Sequence, residues 1–178
     1  MIYLINLLTI SRMLLGALIF ILLTRPEGYM LAFILFLIAS LTDYFDGYFA
    51  RKYNAVSAIG EILDPIADKV LIAFVLFGLS VNLTSYFIAF ISALIIAREI
   101  WVGALRDFNA RQGHSDLTKV TFLAKIKTTI QLFTISIYLL GLILDNMLLI
   151  LFADMFLVLS LLITIYTGYL YTLNSFKK

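Results

Sequence analysis

The sequence predicts an all-α integral membrane protein: one domain over residues 1–178, built as a bundle of six transmembrane helices with a polar active site on its cytoplasmic side. Three observations predict it. Of the 178 residues, 63% are hydrophobic and 13% charged, whereas soluble domains carry about 25% charged residues. Mean hydropathy is +1.06. Apolar stretches close to the ~20 residues needed to cross hydrocarbon fall at 3–24, 29–50, 62–81, 84–105, 122–144 and 147–172. Inside the second and third lie four aspartates at helical spacing, Asp43, Asp46, Asp64 and Asp68.

The first stretch has no basic leader and no small-residue cleavage site, and Asn6, Thr9, Ser11 and Arg12 interrupt it early. It is expected to be retained as a helix with an interfacial first part. The second ends on Arg51 and Lys52, and the third has Pro65 near its start, where the missing N–H should bend or loosen the helix. Backbone freed at that depth is tolerable only beside a polar cavity or packed protein. The fourth carries Arg98 and Glu99 several residues from its end. Adjacent helical residues do not share a face, so the two are expected to serve different contacts. The fifth opens with Lys125 and Lys127, and the sixth closes the bundle. Tyr29, Tyr86 and Trp101 sit near predicted helix boundaries as interfacial anchors, and His114, the one histidine, reads as a solvated loop residue.

Composition excludes several chemistries. There are no cysteines, which removes thiol nucleophiles, thiolate zinc sites and disulfides together. A net charge of +2 is too small for a nucleic-acid partner. The basic residues are nevertheless unevenly placed: Arg51, Lys52, Arg106, Arg111, Lys119, Lys125, Lys127, Lys177 and Lys178 fall on one side and Arg25, beside Glu27, on the other. Basic loops stay in the cytoplasm, so a multi-pass membrane protein with both termini inside is expected. The same charge suits membrane lipid headgroups and phosphorylated substrates.

Residues three or four apart share a helix face, so Asp43, Asp46, Gly47 and Ala50 form one stripe and Gly60, Asp64 and Asp68 another. The short connection between them predicts antiparallel neighbours with the stripes facing. Ionisable groups at membrane depth are functional-site candidates. Four carboxylates so close would repel one another unless cations neutralised them. Oxygen-only donors select hard ions, Mg²⁺ or Mn²⁺, and a pair of such ions can clamp the entering and leaving oxygens of a phosphorus displacement. Gly47 and Gly60 leave room for a ligand against the backbone, and Arg51, one turn on, could hold a diphosphate oxygen.

Written out, Asp43-x-x-Asp46-Gly47-x-x-Ala50-Arg51-x8-Gly60-x-x-x-Asp64-x-x-x-Asp68 matches without a gap the motif of the CDP-alcohol phosphatidyltransferase family, which this chain resembles. The resemblance implies a homodimeric six-helix membrane enzyme that passes a phosphatidyl or similar group from a CDP-linked donor to an alcohol, releasing CMP. It implies two Mg²⁺ ions on Asp43, Asp46, Asp64 and Asp68, with Asp68 as catalytic proton acceptor. It also implies that Asn6, Thr9, Gly47, Arg51 and Ser57, with Gly60 on the stripe, bind CDP-diacylglycerol. Asn6-Leu-Leu-Thr9-Ile-Ser-Arg12, Ala97-Arg98-Glu99 with Leu105-Arg106, and Lys125-Ile-Lys127-Thr128-x-x-Gln131 resemble segments of the bacterial members whose acceptor is glycerol 3-phosphate. Ile5 and Ala124 stand where those members carry Pro and Gly.

Charge supports that acceptor separately. Arg98, Arg106, Lys125 and Lys127 cluster near the cytoplasmic ends of the fourth and fifth helices and suit a phosphomonoester, so they are the expected glycerol-3-phosphate site. Two other classes stay open from the residues alone, a divalent-cation transporter and an aspartate-rich prenyltransferase. Against the transporter, the carboxylates gather toward one face and no repeat is visible; against the prenyltransferase, the aspartate spacing differs. Phosphatidylglycerol, serine and inositol phosphate remain alternative acceptors.

Overall fold

The computed structural model describes residues 2–53, 58–118 and 122–176, with side chains described throughout except at 2–6, 8, 43–53, 58–59, 61–62, 64–65 and 115. These residues form six α-helices: α1 (Ile2–Leu22), α2 (Tyr29–Tyr53), α3 (Ala58–Asn82), α4 (Tyr86–Arg111), α5 (Phe122–Ile143) and α6 (Met147–Phe176). Two 3-10 turns, Pro26–Gly28 and Ser115–Thr118, complete the described connections. No strand occurs among the described residues. The six expected stretches thus coincide with the six helices. The main difference is in α3, which starts at Ala58 and runs on through Pro65 as one helix.

The helix ends follow from local chemistry. α3 and α5 both stop at a residue in the left-handed region, Thr84 (φ 49°) and Asp145 (φ 47°). In each case the next N–H reaches back five residues, from Ser85 to the Ser80 carbonyl and from Asn146 to the Gly141 carbonyl, both at 2.9 Å. This closes orphan carbonyls as glycine-terminated helices do, at the cost of a side chain in αL. The same two residues then cap the following helices. Ser85 Oγ accepts from the Ile88 N–H at 3.2 Å, and Asn146 Oδ1 accepts from the Leu148 N–H at 3.0 Å, satisfying donors that open α4 and α6.

Each helix packs on two principal neighbours, in the order α1, α2, α5, α6, α4, α3 and back to α1. The bundle is therefore a closed ring, with its core drawn from Ile19, Phe36, Val75, Leu79, Ile95, Tyr138 and Leu157 among others. Among the described residues α1 packs on both α2 and α3; the expected approach of the two aspartate stripes lies outside the described side chains. α4, α5 and α6 are each long and apolar enough to cross a membrane, and α1 and α2 add shorter apolar runs, Thr9–Leu22 and Pro26–Thr42.

One hydrogen-bonded cluster fixes which helix ends lie together. Asn82 Nδ2 donates to the Leu23 carbonyl and to the Tyr29 hydroxyl, both at 2.7 Å. The end of α3, the end of α1 and the start of α2 therefore meet at one pole. At ~1.5 Å per residue, the far end of α2 and the first turns of α1 and α3 lie at the opposite pole, the one that carries the aspartate motif. α4 and α6 end at this pole and α5 begins there.

The turn between α1 and α2 is tight. A Cβ on Gly28 would sit 2.2 Å from the Leu22 carbonyl oxygen, a contact only backbone movement relieves. Gly28→Ala is expected to destabilise the protein by about 1–3 kcal/mol, the usual cost of overpacking, read as a lower thermal midpoint in detergent.

Candidate active site

At the motif-bearing pole a cavity of about 230 Å³ opens between α3, α4 and α5, lined by Asp68, Lys69, Glu99, Arg106, Lys127 and Gln131 among others. Asp68 sits where α3 passes α1, and its Oδ1 accepts from Arg12 Nη1 at 2.8 Å. The Arg12 side chain is 1% exposed and that of Asp68 45%. A guanidinium so deeply buried needs an anion nearby. Asp68 meets that need while still facing the cavity.

The opposite wall is organised by Glu99. Its Oε1 accepts from Arg98 Nη1 at 2.9 Å and from Lys127 Nζ, tying α4 to α5, while Lys69 Nζ donates to its backbone carbonyl at 3.3 Å. Lys69 lies over Gly103, where a Cβ would be 3.3 Å from the ammonium. Among the described residues, Lys69, Arg98, Arg106 and Lys127 share this region with the carboxylates of Glu99 and Asp68, and the wall opposite Asp68 is rich in cations.

The expected acceptor residues separate into two groups. Arg106 and Lys127 line the cavity beside Asp68. Arg98 turns toward α6: its Nη2 donates to Thr167 Oγ1 at 2.6 Å, and Gly168 makes room for it, since a Cβ there would be 2.9 Å from its Nε. Lys125 is exposed at the start of α5. The expectation that Arg98 and Glu99 serve separate contacts is corrected by their ion pair: two long side chains on neighbouring helix positions curl together because both are buried and of opposite charge. Arg106 lies against the Tyr171 ring, 5.5 Å from its centroid, a cation–π contact that props the guanidinium between α4 and α6.

Thr9 is fully buried in α1 and Gly60 is buried in α3. Asp43, Asp46, Gly47 and Arg51 lie on the α2 helix and Asp64 on α3; these side chains, that of Asn6, and the whole of Ser57 lie outside the described residues. Among the described side chains, which include only that of Asp68 of the four aspartates, no group of three acidic or histidine residues gathers. Asp68 offers the cavity a carboxylate, the oxygen donor that a hard divalent ion takes, with its Oδ1 also bonded to Arg12.

Sequence reading assigned no role to Arg12, Lys69, Glu99 or Gln131. For Arg12 and Glu99 the signal was available, since a charged residue within an apolar helix implies a partner. The partners' positions were not.

The profile of the CDP-alcohol phosphatidyltransferase family matches residues 2–167. This chain belongs to that family. A Rickettsia bellii protein named CDP-diacylglycerol–glycerol-3-phosphate 3-phosphatidyltransferase is 42% identical over 171 residues, covering 93% of this chain and 91% of its own length. Similarly named proteins of Salmonella choleraesuis and Escherichia coli K12 are 35% identical over 133 residues and 37% over 105. The Salmonella match covers 74% of this chain and 73% of the relative, the Escherichia match 59% and 58%. The matched region takes in the aspartate motif on α2 and α3 and the residues that line the cavity beside Asp68.

Removing one partner from a buried charge cluster leaves the rest uncompensated. Glu99→Gln is expected to destabilise the protein by roughly 3 kcal/mol, measured by thermal unfolding in detergent. Glu99→Gln combined with Lys127→Met should recover part of that loss, Arg98 still lacking its anion, the non-additivity expected of a coupled cluster.

Proposed function

We propose that the chain transfers the phosphatidyl group from CDP-diacylglycerol to glycerol 3-phosphate, giving phosphatidylglycerophosphate and CMP in anionic phospholipid synthesis. The observation that carries this reading is the cavity in which Asp68 shares a lining with Arg106 and Lys127: a proton acceptor set beside an anion-binding wall. The relatives named for this reaction support the choice of acceptor. The reading includes six membrane crossings by a homodimer, with both termini and the active site on the cytoplasmic face of a bacterial inner membrane. Helices of 25 residues are ~37 Å long, enough to cross the ~30 Å hydrocarbon layer even where their apolar runs are shorter.

In this mechanism Asn6, Thr9, Gly47, Arg51, Ser57 and Gly60 position the donor's nucleotide and diphosphate, while its acyl chains lie between helices. Asp43, Asp46, Asp64 and Asp68 would hold two Mg²⁺ ions, or Mn²⁺, which would supply positive charge at the donor's diphosphate. Arg106 and Lys127 take the acceptor's phosphate, with Lys125 drawing it in from the exposed start of α5. Glu99 holds the Lys127 ammonium in place, and Arg98, fixed on Thr167, positions Glu99. The acceptor's primary hydroxyl then faces Asp68, which removes its proton as the oxygen attacks the phosphorus bearing the diacylglycerol. Arg12 keeps the Asp68 carboxylate in one orientation. A different acceptor, phosphatidylglycerol, serine or inositol phosphate, would keep the aspartate chemistry and change what the cavity binds.

The test is CMP release by purified protein with CDP-diacylglycerol, Mg²⁺ and each acceptor in turn. Release with glycerol 3-phosphate alone is expected; release only with another acceptor overturns the assignment. Asp43→Ala, Asp64→Ala and Asp68→Asn should each lower turnover by about 10²–10⁴-fold, the scale of losing a catalytic proton acceptor, with the thermal midpoint near wild type. Asparagine is the better replacement at 68 because Arg12 retains an acceptor there. A one-step displacement also requires inversion at a chirally labelled phosphorus; retention would indicate a phosphatidyl-enzyme intermediate.

A further inference from the structure

The inner end of the cavity carries an amide with nothing to bind. Gln131 is 5% exposed and lines the cavity, yet its Nε2 is buried without a hydrogen-bond partner. Buried donors are almost always paired, and leaving one unmade is unfavourable. A ligand oxygen would offset that cost.

Position says which kind of oxygen. α5 enters the bundle at Phe122, so Gln131 lies one turn further from the polar pole than Lys127. The lining residues at that depth are apolar, Ile72 one turn beyond Asp68 on α3 and Ile95 one turn before Glu99 on α4. Charge is confined to the outer part of the cavity. A phosphate at the inner end would face apolar walls with one neutral donor, which is unfavourable for an ion. A hydroxyl suits them, because an amide N–H and an alcohol oxygen are both neutral. The terminal torsion of glutamine is soft, so the amide can turn toward such a group.

We propose that Gln131 Nε2 donates to the secondary hydroxyl oxygen of the glycerol phosphate acceptor and makes the enzyme selective for an acceptor that carries it. The inference rests on the acceptor assignment above and adds a specificity-determining residue to it. With phosphate held at Arg106 and Lys127 and the middle hydroxyl held at Gln131, the primary hydroxyl is left to face Asp68.

The experiment compares glycerol 3-phosphate with propane-1,3-diol monophosphate, which lacks only the secondary hydroxyl, as acceptors for the purified full-length wild type and Gln131→Leu. The wild type should favour glycerol 3-phosphate in kcat/KM by about 10–100-fold, the scale of one buried hydrogen bond left unmade. Gln131→Leu should lose about that factor with glycerol 3-phosphate, chiefly in KM, and use the analogue within about threefold of wild type. Its thermal midpoint should hold, since Nε2 makes no internal bond to lose. Equal losses on both acceptors, or an unchanged preference, overturn the proposal. If Gln131→Leu does not accumulate, Gln131→Met, unbranched and of similar length, is read the same way. A wild type that releases CMP with neither compound overturns the acceptor assignment itself, so the two failures are distinct.

Discussion

A charged side chain held within an apolar bundle is tolerable only where an opposite charge or a polar ligand meets it. In this chain that constraint selects the tertiary arrangement at one pole. Arg12 cannot lie buried in α1 unless α3 presents Asp68 to it, and Glu99 on α4 draws Lys127 from α5 and Arg98 from its own helix. These pairs tie four helices together where apolar packing alone would leave their rotation and depth loosely specified. They also leave an excess of cationic groups around one cavity, so the forces that fix the fold prepare an anion site.

The small residues work with this constraint. Gly168 lets the Arg98 guanidinium lie against α6, and Gly103 lets Lys69 reach the Glu99 carbonyl. Long cationic side chains are accommodated inside the bundle by removing bulk from the helix they cross, the packing habit of membrane helices applied to charge. Tyr138 and Asp154 make a comparable pair between α5 and α6, nearer the other pole, where an otherwise costly carboxylate receives the tyrosine hydroxyl.

The six helices were readable in the sequence because apolar length is a strong signal and few polar residues interrupt it. Their exact ends were less so. Thr84 and Asp145 end helices in a conformation that glycine usually marks, and neither residue type announces it. Pro65, expected to bend or loosen the start of the third helix, lies within the continuous course of α3. At the site, spacing along single helices groups the four aspartates into two stripes, and charge placement groups the basic residues of α4 and α5. Which way each basic side chain points depends on helix rotation, which spacing does not encode: Arg98 was expected with the acceptor and lies toward α6. Gln131 enters the sequence reading only as the last residue of the Lys125–Gln131 segment, since an unpaired amide is visible only when its surroundings are.

Ring closure has a consequence for how the chain is made. The four aspartates are complete once residue 68 has been synthesised, yet the wall that faces Asp68 comes in part from α5. The ring itself closes through the pairing of α2 with α5 and of α6 with α4. During synthesis the first four helices would enter the membrane with Glu99 and Arg98 present and Lys127 still to come. The aspartate motif therefore precedes the α5 side of the cavity by about a third of the chain's synthesis, the stretch from Asp68 to Lys127. A nascent chain at that stage has its acidic chemistry in place and no enclosure in which to use it.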